Sequence, residues 1–152
     1  MPPFRLAAAA LACLVPLTAA AAERGAEVFA STCSTCHLET LSADAVDQAK
    51  DLKAPPMNLL STLIRKKVGN SEPAFIAHVM EFTVRPAKEK VKAMPAAVEE
   101  FGLMPPIGDT APNLTEGDLR AVAGWLYDHY DYEAELRELQ EHARSGRAPG
   151  GH

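Results

Sequence analysis

The sequence predicts an all-α fold, and three observations lead to this prediction. Apolar residues recur at helical spacing near both ends of the chain. No run alternates between apolar and polar residues, as a half-buried strand would. Twelve prolines and nine glycines in 152 residues indicate short helices with abrupt ends. With 47% hydrophobic and 23% charged residues, the chain is neither wholly disordered nor a multi-span membrane protein, and its length fits one compact domain with tails.

The first predicted helix runs into a pair of cysteines, and its 3.6-residue spacing is formed by Gly25, Val28, Phe29 and Thr32. Two longer helices are predicted over residues 56–68 and 72–84. Pro73 suits the first turn of the second one, because its missing N–H would have no partner there anyway. A short helix follows over residues 95–101, and Gly102 stops it.

The last predicted helix begins with a side-chain cap. Thr115 takes the N-cap position, and Asp118 three residues later can complete a capping box. An apolar stripe follows at helical spacing, formed by Leu119, Val122, Ala123, Leu126, Tyr127 and Tyr130 and broadened by Trp125. Residues 131–143 are expected to continue this helix with a charged face. Residues 145–152, which contain three glycines and a proline, are expected to be disordered.

The N-terminal segment is typical of a secretory signal peptide. Arg5 precedes an apolar region over residues 6–17, and the alanines at 20–22 form a cleavage site. An uncleaved anchor is disfavoured, because the apolar stretch is shorter than the roughly 20 residues that a membrane span requires. We therefore predict that residues 1–22 are removed on export to the periplasm. Cleavage deletes Cys13 and leaves no stable membrane span.

The segment from Cys33 to His37 reads C-x-x-C-H, the attachment signature of c-type haem. In such a site the two thiols add to the vinyl groups of haem, and the histidine becomes the proximal iron ligand. A thioredoxin-like redox site would require a βαβ pattern around the cysteines, and a zinc site would require a second pair of ligands. The sequence offers neither, so it predicts one covalently bound haem c, attached through Cys33 and Cys36.

The sixth position of an iron bound by His37 determines its function. Met104 stands directly before Pro105 and Pro106, which stiffen the loop and can present a thioether at a fixed distance. We predict Met104 as the distal iron ligand. The alternative is Met57, which follows two prolines.

Three segments, taken in order, resemble a class I cytochrome c. They are Gly25-x-x-x-Phe29 ahead of the C-x-x-C-H motif, Met104-Pro105-Pro106, and residues 114–127. In that family the N- and C-terminal helices cross over a covalently bound haem. The resemblance implies that Gly25 and Phe29 meet Val122 and Trp125, and that the haem is held by Cys33, Cys36, His37 and Met104.

The middle of the chain departs from the family pattern. Leu38 follows the histidine where the family usually has glycine, and the proline loop that orients the proximal histidine is not obvious. A backbone carbonyl within residues 53–56 is expected to take over that role by accepting a hydrogen bond from His37, which would fix its tautomer.

The resemblance implies an electron carrier rather than an enzyme, because an iron with both axial positions filled has no site for substrate. The predicted partners are redox proteins of the exported compartment, such as an oxidase, a reductase or a dehydrogenase. The formal charge of −5 argues against nucleic acid. Two alternatives stay open: an enzyme or sensor that binds a gas or peroxide at an open sixth site, and a haem subunit of a larger oxidoreductase complex.

The predicted domain organisation has three parts. Residues 1–22 are the signal peptide, residues 23–132 form the monohaem domain, and residues 133–152 form a charged helical extension with a disordered tail.

Overall fold

The computed structural model describes residues 17–46 and 49–145, and within these ranges it contains α-helices and no strand. The helices are α1 Leu17–Ser31, α2 Ala43–Val46, α3 Met57–Lys67, α4 Glu72–Val84, α5 Pro95–Phe101, α6 Ile107–Thr110, α7 Glu116–His129 and α8 Tyr132–Arg144. Short 3₁₀ turns lie at Cys33–Thr35 and Lys88–Lys90. The predicted all-α fold is confirmed.

Helices α1 and α7 cross at close range. A Cβ atom on Gly25 would collide with the carbonyl group of Ala121 and with the Cβ of Trp125, so this approach requires glycine. The rings of Phe29 and Trp125 pack beside the crossing with 5.0 Å between their centroids. Val122 is buried in the same core. The crossing of the first helix with the helix after the Met104 loop therefore agrees with the resemblance.

The middle helices lie where their sequence patterns predict them. Helices α4 and α5 have the predicted bounds, and α3 begins and ends one residue inside its predicted range. Gly102 follows α5 with φ of +79°, a conformation that favours glycine and ends the helix. Helix α4 packs against α7 through Phe75, whose ring lies 5.5 Å from that of Tyr127, and it also contacts α6.

The capping box at the start of α7 is confirmed: the Thr115 hydroxyl accepts from the Asp118 amide at 3.1 Å, and the Asp118 carboxylate accepts from the Thr115 amide at 2.9 Å. The prediction that residues 131–143 continue this helix is wrong. Helix α7 ends at His129, and Tyr130 takes an extended conformation. Asp131 then caps a separate helix, α8, by accepting a hydrogen bond from the Ala134 amide at 3.1 Å.

Arg65 of α3 explains why the chain turns at this junction. Its guanidinium group lies 4.1 Å from the ring centroid of Tyr127 and 4.6 Å from that of Tyr132. It also donates to the carbonyl of Tyr127 at 2.7 Å, which satisfies an otherwise open carbonyl at the end of α7. The burial of Tyr130, whose hydroxyl donates to the Glu39 carbonyl at 3.0 Å, completes the turn.

Helix α8 folds back onto α2 and α3. Three contacts join these elements: Glu135 with Asn58 at 2.9 Å, Glu138 with the Ala43 amide at 2.8 Å, and His142 with Asp44 at 2.8 Å. The part of the chain after residue 132 therefore packs against the segment that follows the C-x-x-C-H motif.

Two predicted segments lie largely or wholly outside the described residues. Residues 1–16 of the predicted signal peptide are not described, and neither is the predicted disordered tail from residue 146. The predicted cleavage site at residues 20–22 falls within the first turns of α1. Among the helices of the described ranges, none has the length and apolar character needed to cross a membrane.

Candidate functional site

The C-x-x-C-H motif is wound into a tight turn at the end of α1. The hydroxyl of Ser34 donates to the Ala30 carbonyl at 2.6 Å, which extends the helix end into the motif. The His37 amide donates to the Cys33 carbonyl at 2.9 Å and closes the turn. Cys33 is half-buried and Cys36 is exposed. Burial raises the pKa of the Cys33 thiol to about 11, so this side chain is a neutral thiol at pH 7.

His37 is buried and held in one orientation. Its Nδ1 lies 2.8 Å from the Pro55 carbonyl oxygen, and because a carbonyl can only accept, Nδ1 carries the proton. This is the contact that the sequence predicts from residues 53–56. Burial lowers the pKa of His37, and the Pro55 carbonyl opposes that change without cancelling it. The imidazole is therefore neutral, with a lone pair on Nε2 that can bind a metal.

The loop that carries Pro55 is fastened to the chain just after His37. The Met57 amide donates to the Leu38 carbonyl at 2.8 Å. The buried side chain of Asn58 binds both backbone groups of Leu41, accepting from its amide and donating to its carbonyl at 3.1 Å each. Since His37 and Pro55 lie at the two ends of this fastened loop, the loop fixes the distance between them.

A cavity of about 270 Å³ opens beside this turn. Its lining is mainly apolar and comes from α3, α4, α5 and α7 together with the C-x-x-C-H turn and the Met104 loop. Of the residues predicted for the site, those that line the cavity are Cys33, Cys36, His37, Met57 and Met104.

The two candidate methionines differ in their setting. Met57 is buried in the hydrophobic core at the first residue of α3, two positions after Pro55. Met104 is half-buried in the loop between α5 and α6, where Gly102 ends one helix and Pro106 precedes the next. Met57 is thus part of the loop fastened beside His37, whereas Met104 reaches the cavity from a separate segment.

His78 lines the cavity as well, although no sequence motif singles it out. It lies on α4, is 9% exposed and lines the same cavity. Its ring packs 5.8 Å from that of Phe82, between centroids. Phe75, His78 and Phe82 recur at helical spacing, so periodicity places His78 on the inner face of α4. The role of Asn58 was also not predicted. No sequence pattern indicates that a polar side chain will hydrogen-bond the backbone of a distant loop residue.

The residues around the cavity fit a covalently attached haem. Two thiols at the attachment spacing lie at one wall, next to a neutral imidazole whose Nε2 can bind iron. A thioether is available from another segment, and an apolar lining surrounds them. In this setting Cys33 and Cys36 would hold the porphyrin, and His37 would bind the iron.

Comparison with known proteins agrees with this chemistry. The family model of cytochrome c oxidase, cbb3-type, subunit III, matches residues 20–126. An uncharacterized protein of Aquifex aeolicus (strain VF5) is 36% identical over 117 residues, which cover 71% of this chain and 74% of that protein. No solved structure gives a significant match. The family match supports a haem-containing electron-transfer protein, and a cytochrome c domain implies covalently bound haem c. The chain therefore belongs to the cbb3-type subunit III family of cytochrome c oxidase and contains a class I c-type cytochrome domain.

Proposed function

We propose that this chain is an exported, single-haem electron carrier of the periplasm. Cys33 and Cys36 form the thioether links, His37 is the proximal iron ligand and Met104 is the distal one. The observation that carries the proposal is the apolar cavity that all four side chains line. We assign the haem domain to residues 23–132, which hold nearly all of the family match over residues 20–126, and the signal peptide to residues 1–22 from their sequence pattern.

We assign the distal ligand to Met104 because of the position of the alternative, Met57. A second iron ligand would need to reach the cavity independently of the loop that holds His37. The Met57 amide is hydrogen-bonded to Leu38, the neighbour of His37, and Met57 is close in sequence to Pro55, which holds the imidazole. Met104 belongs to a loop that is tied to neither. Met104, on this separate segment, would therefore be the second ligand.

The chain's own groups suit a carrier rather than a catalyst. Haem, when bound, supplies one-electron redox chemistry. The Pro55 carbonyl keeps His37 in the tautomer that binds iron, and the apolar lining from α4, α5 and α7 excludes water. A thioether ligand raises the reduction potential, which suits electron delivery to an oxidising partner. With both axial positions filled, no site is left for a substrate.

A second candidate function is that of a fixed haem subunit in a larger oxidoreductase complex. The description of the matching family, a subunit of an oxidase, favours it. This candidate uses the same residue assignments and differs in whether the redox partner is permanent. Mild detergent lysis of whole cells followed by size-exclusion chromatography distinguishes the two. A carrier elutes at its own size, and a subunit elutes with the complex.

The direct test is the absorption spectrum of the purified exported protein in both oxidation states. Covalent haem survives acid-acetone extraction, and methionine ligation gives the oxidised protein a weak far-red charge-transfer band. Met104→Leu should abolish this band and lower the reduction potential, because a soft thioether favours reduced iron. Met57→Leu is the matched control: volume-conserving substitutions cost less than about 1.5 kcal/mol, and the band should persist.

The outcomes separate the alternatives. If Met57→Leu abolishes the band and Met104→Leu does not, the ligand lies in the earlier proline loop while the carrier function stands. If the reduced wild-type protein binds carbon monoxide readily, the sixth site is open and a gas- or peroxide-binding function replaces the carrier.

A further inference from the structure

Helix α8 lies after the residues that the family model matches, because the match ends at residue 126 and α8 begins at Tyr132. It packs against α2 and α3. In the chain these two helices come before and after the loop of Pro55, whose carbonyl binds His37. Helix α8 therefore contacts both ends of the loop that orients the proposed iron ligand.

Two side chains of α8 bind the end of this loop at α2. Glu138 Oε1 accepts from the Ala43 amide at 2.8 Å, and His142 Nδ1 lies 2.8 Å from Asp44 Oδ1. Ala43 is completely buried, and the His142 side chain is 1% exposed. A buried amide cannot turn to water in place of its acceptor, so the loss of Glu138 would leave the Ala43 amide without a partner and favour opening of this end.

Glu135 binds the other end of the loop, at the start of α3. Its Oε2 accepts from Asn58 Nδ2 at 2.9 Å, and the same nitrogen donates to the Leu41 carbonyl at 3.1 Å. Burial raises the pKa of the Glu135 carboxyl, and the hydrogen bond from Asn58 opposes that rise. An amide nitrogen has two protons, and here each has its own acceptor. Glu135 thus fixes the orientation of the buried amide that joins the two sides of the loop.

The link between Asn58 and Pro55 is short and stiff. The rings of Pro55 and Pro56 fix φ at both positions, and Pro56 also restricts the residue before it to extended conformations. The Met57 amide is bound to the Leu38 carbonyl at 2.8 Å. Because this link has little freedom, a shift of Asn58 moves the Pro55 carbonyl instead of being absorbed on the way.

We propose that α8 is a clamp that holds the Pro55 carbonyl against His37 Nδ1, with Glu135 and Glu138 as its positioning residues. A hydrogen bond from Nδ1 to an acceptor makes Nε2 a stronger donor to a metal. The redox consequence rests on the proposed function, because it takes His37 to be the iron ligand. A stronger imidazole donor stabilises oxidised iron more than reduced iron, so α8 keeps the reduction potential lower than a loosened loop would.

The test uses the purified, ¹⁵N-labelled exported protein and follows the proton on His37 Nδ1 by NMR. In Glu135→Ala and in Glu138→Ala this proton should exchange with solvent about tenfold faster, because a hydrogen bond to a charged acceptor is lost and the loop opens more often. Glu135→Gln and Glu138→Gln keep an oxygen acceptor at the same place and should retain the wild-type exchange rate. Glu141→Ala, which removes an exposed carboxylate from the same helix, should also leave it unchanged.

The reduction potential of the holoprotein is the second readout, and a purely structural role of α8 would not change it. Both alanine variants should raise the potential, and both glutamine variants should stay near the wild type. Alanine and glutamine remove the same negative charge, so their comparison separates the effect of the hydrogen bond from that of the charge.

Three results would overturn the proposal: wild-type exchange in both alanine variants, equal exchange in the alanine and glutamine variants, or equal potentials for the two kinds of variant. If Glu135→Ala does not fold, Glu138→Ala decides, because it loosens the opposite end of the loop. Absence of covalent haem from the wild type would refute the proposed function. The exchange of the His37 proton does not require haem and would still test the clamp in that protein.

Discussion

The two walls of the cavity are held in different ways. The proximal region, which comprises residues 33–46 and 49–67, is tied across the sequence by hydrogen bonds to α7 and α8, such as Ser61 to the Leu126 carbonyl at 2.9 Å. The Met104 region, residues 85–111, has no comparable ties. Among the described residues, its side-chain hydrogen bonds reach no farther along the chain than Glu81.

From this difference we expect one part of the fold to depend on its cofactor more than the other. The proximal region holds its histidine by protein contacts alone. In the Met104 region, Val98 and Phe101 of α5 face the cavity, so their apolar packing is completed by what fills it. We therefore expect the proximal wall to keep its structure without haem, and the Met104 wall to need haem for rigidity.

The largest expected effect follows from removing the attachment. The double variant Cys33→Ser, Cys36→Ser should lose haem on acid-acetone extraction and give less folded protein. In the folded fraction, hydrogen exchange should show lost protection in α5 and retained protection in α7, because only the first packs mainly against the cofactor. Equal loss in both helices would mean that the whole fold depends on haem, and the contrast between the walls would be refuted.

The helix crossing gives the next effect. Gly25→Val places a side chain where even a Cβ collides with backbone, and it should cost about 3 kcal/mol in urea denaturation of the holoprotein. Gly124→Ala is the matched control on the facing helix, since a Cβ there meets open space. It should stabilise the protein by about 0.5–1 kcal/mol through helix propensity. An unchanged midpoint for Gly25→Val would contradict the observed approach of α1 and α7.

Asn58 tests the fastening of the proximal loop. Asn58→Ala leaves both backbone groups of Leu41 without their partner and should cost about 1–3 kcal/mol. Glu135→Gln is the control, because its side-chain oxygen can still accept from the Asn58 amide at the same place. Both variants are compared by urea denaturation. A loss of stability in Asn58→Ala alone would support the view that hydrogen bonds hold the proximal wall. No loss in either variant would indicate that the loop is held by packing alone.

The smallest effect concerns the ion pair between Arg24 and Asp118, 2.7 Å apart, which joins α1 to α7. The Arg24 hydrogen bond, aided by those from Thr115, lowers the pKa of Asp118 from 3.8 to about 2. Because the pKa of Asp118 is lower in the folded state, its ionised carboxylate stabilises the fold fully above pH 4. This stabilisation is lost as pH falls toward 2. Asp118→Asn should remove that part of the acid dependence of the denaturation midpoint. Because the Arg24 side chain is exposed to solvent, the change is small.

Much of the fold follows from local sequence. The capping box of Thr115, the bounds of α4 and α5 and the stop at Gly102 depend on neighbours within a few residues, and they are as predicted. The C-x-x-C-H motif also needs no tertiary information, because its chemistry lies in five consecutive residues. The close approach of α7 to Gly25 was predicted from the resemblance rather than from the spacing of residues.

Tertiary structure alone decided the rest. The break between α7 and α8 depends on Arg65, more than 60 residues away, which binds the carbonyl at the end of α7. Asn58 acquires its role from Leu41 and Glu135, and His78 becomes a cavity residue because α4 packs against α6 and α7. A sequence pattern records which face of a helix is buried, but not what that face meets. The segment that a buried face contacts is fixed only when distant parts of the chain pack together. That packing also determines which buried polar groups find a hydrogen-bond partner.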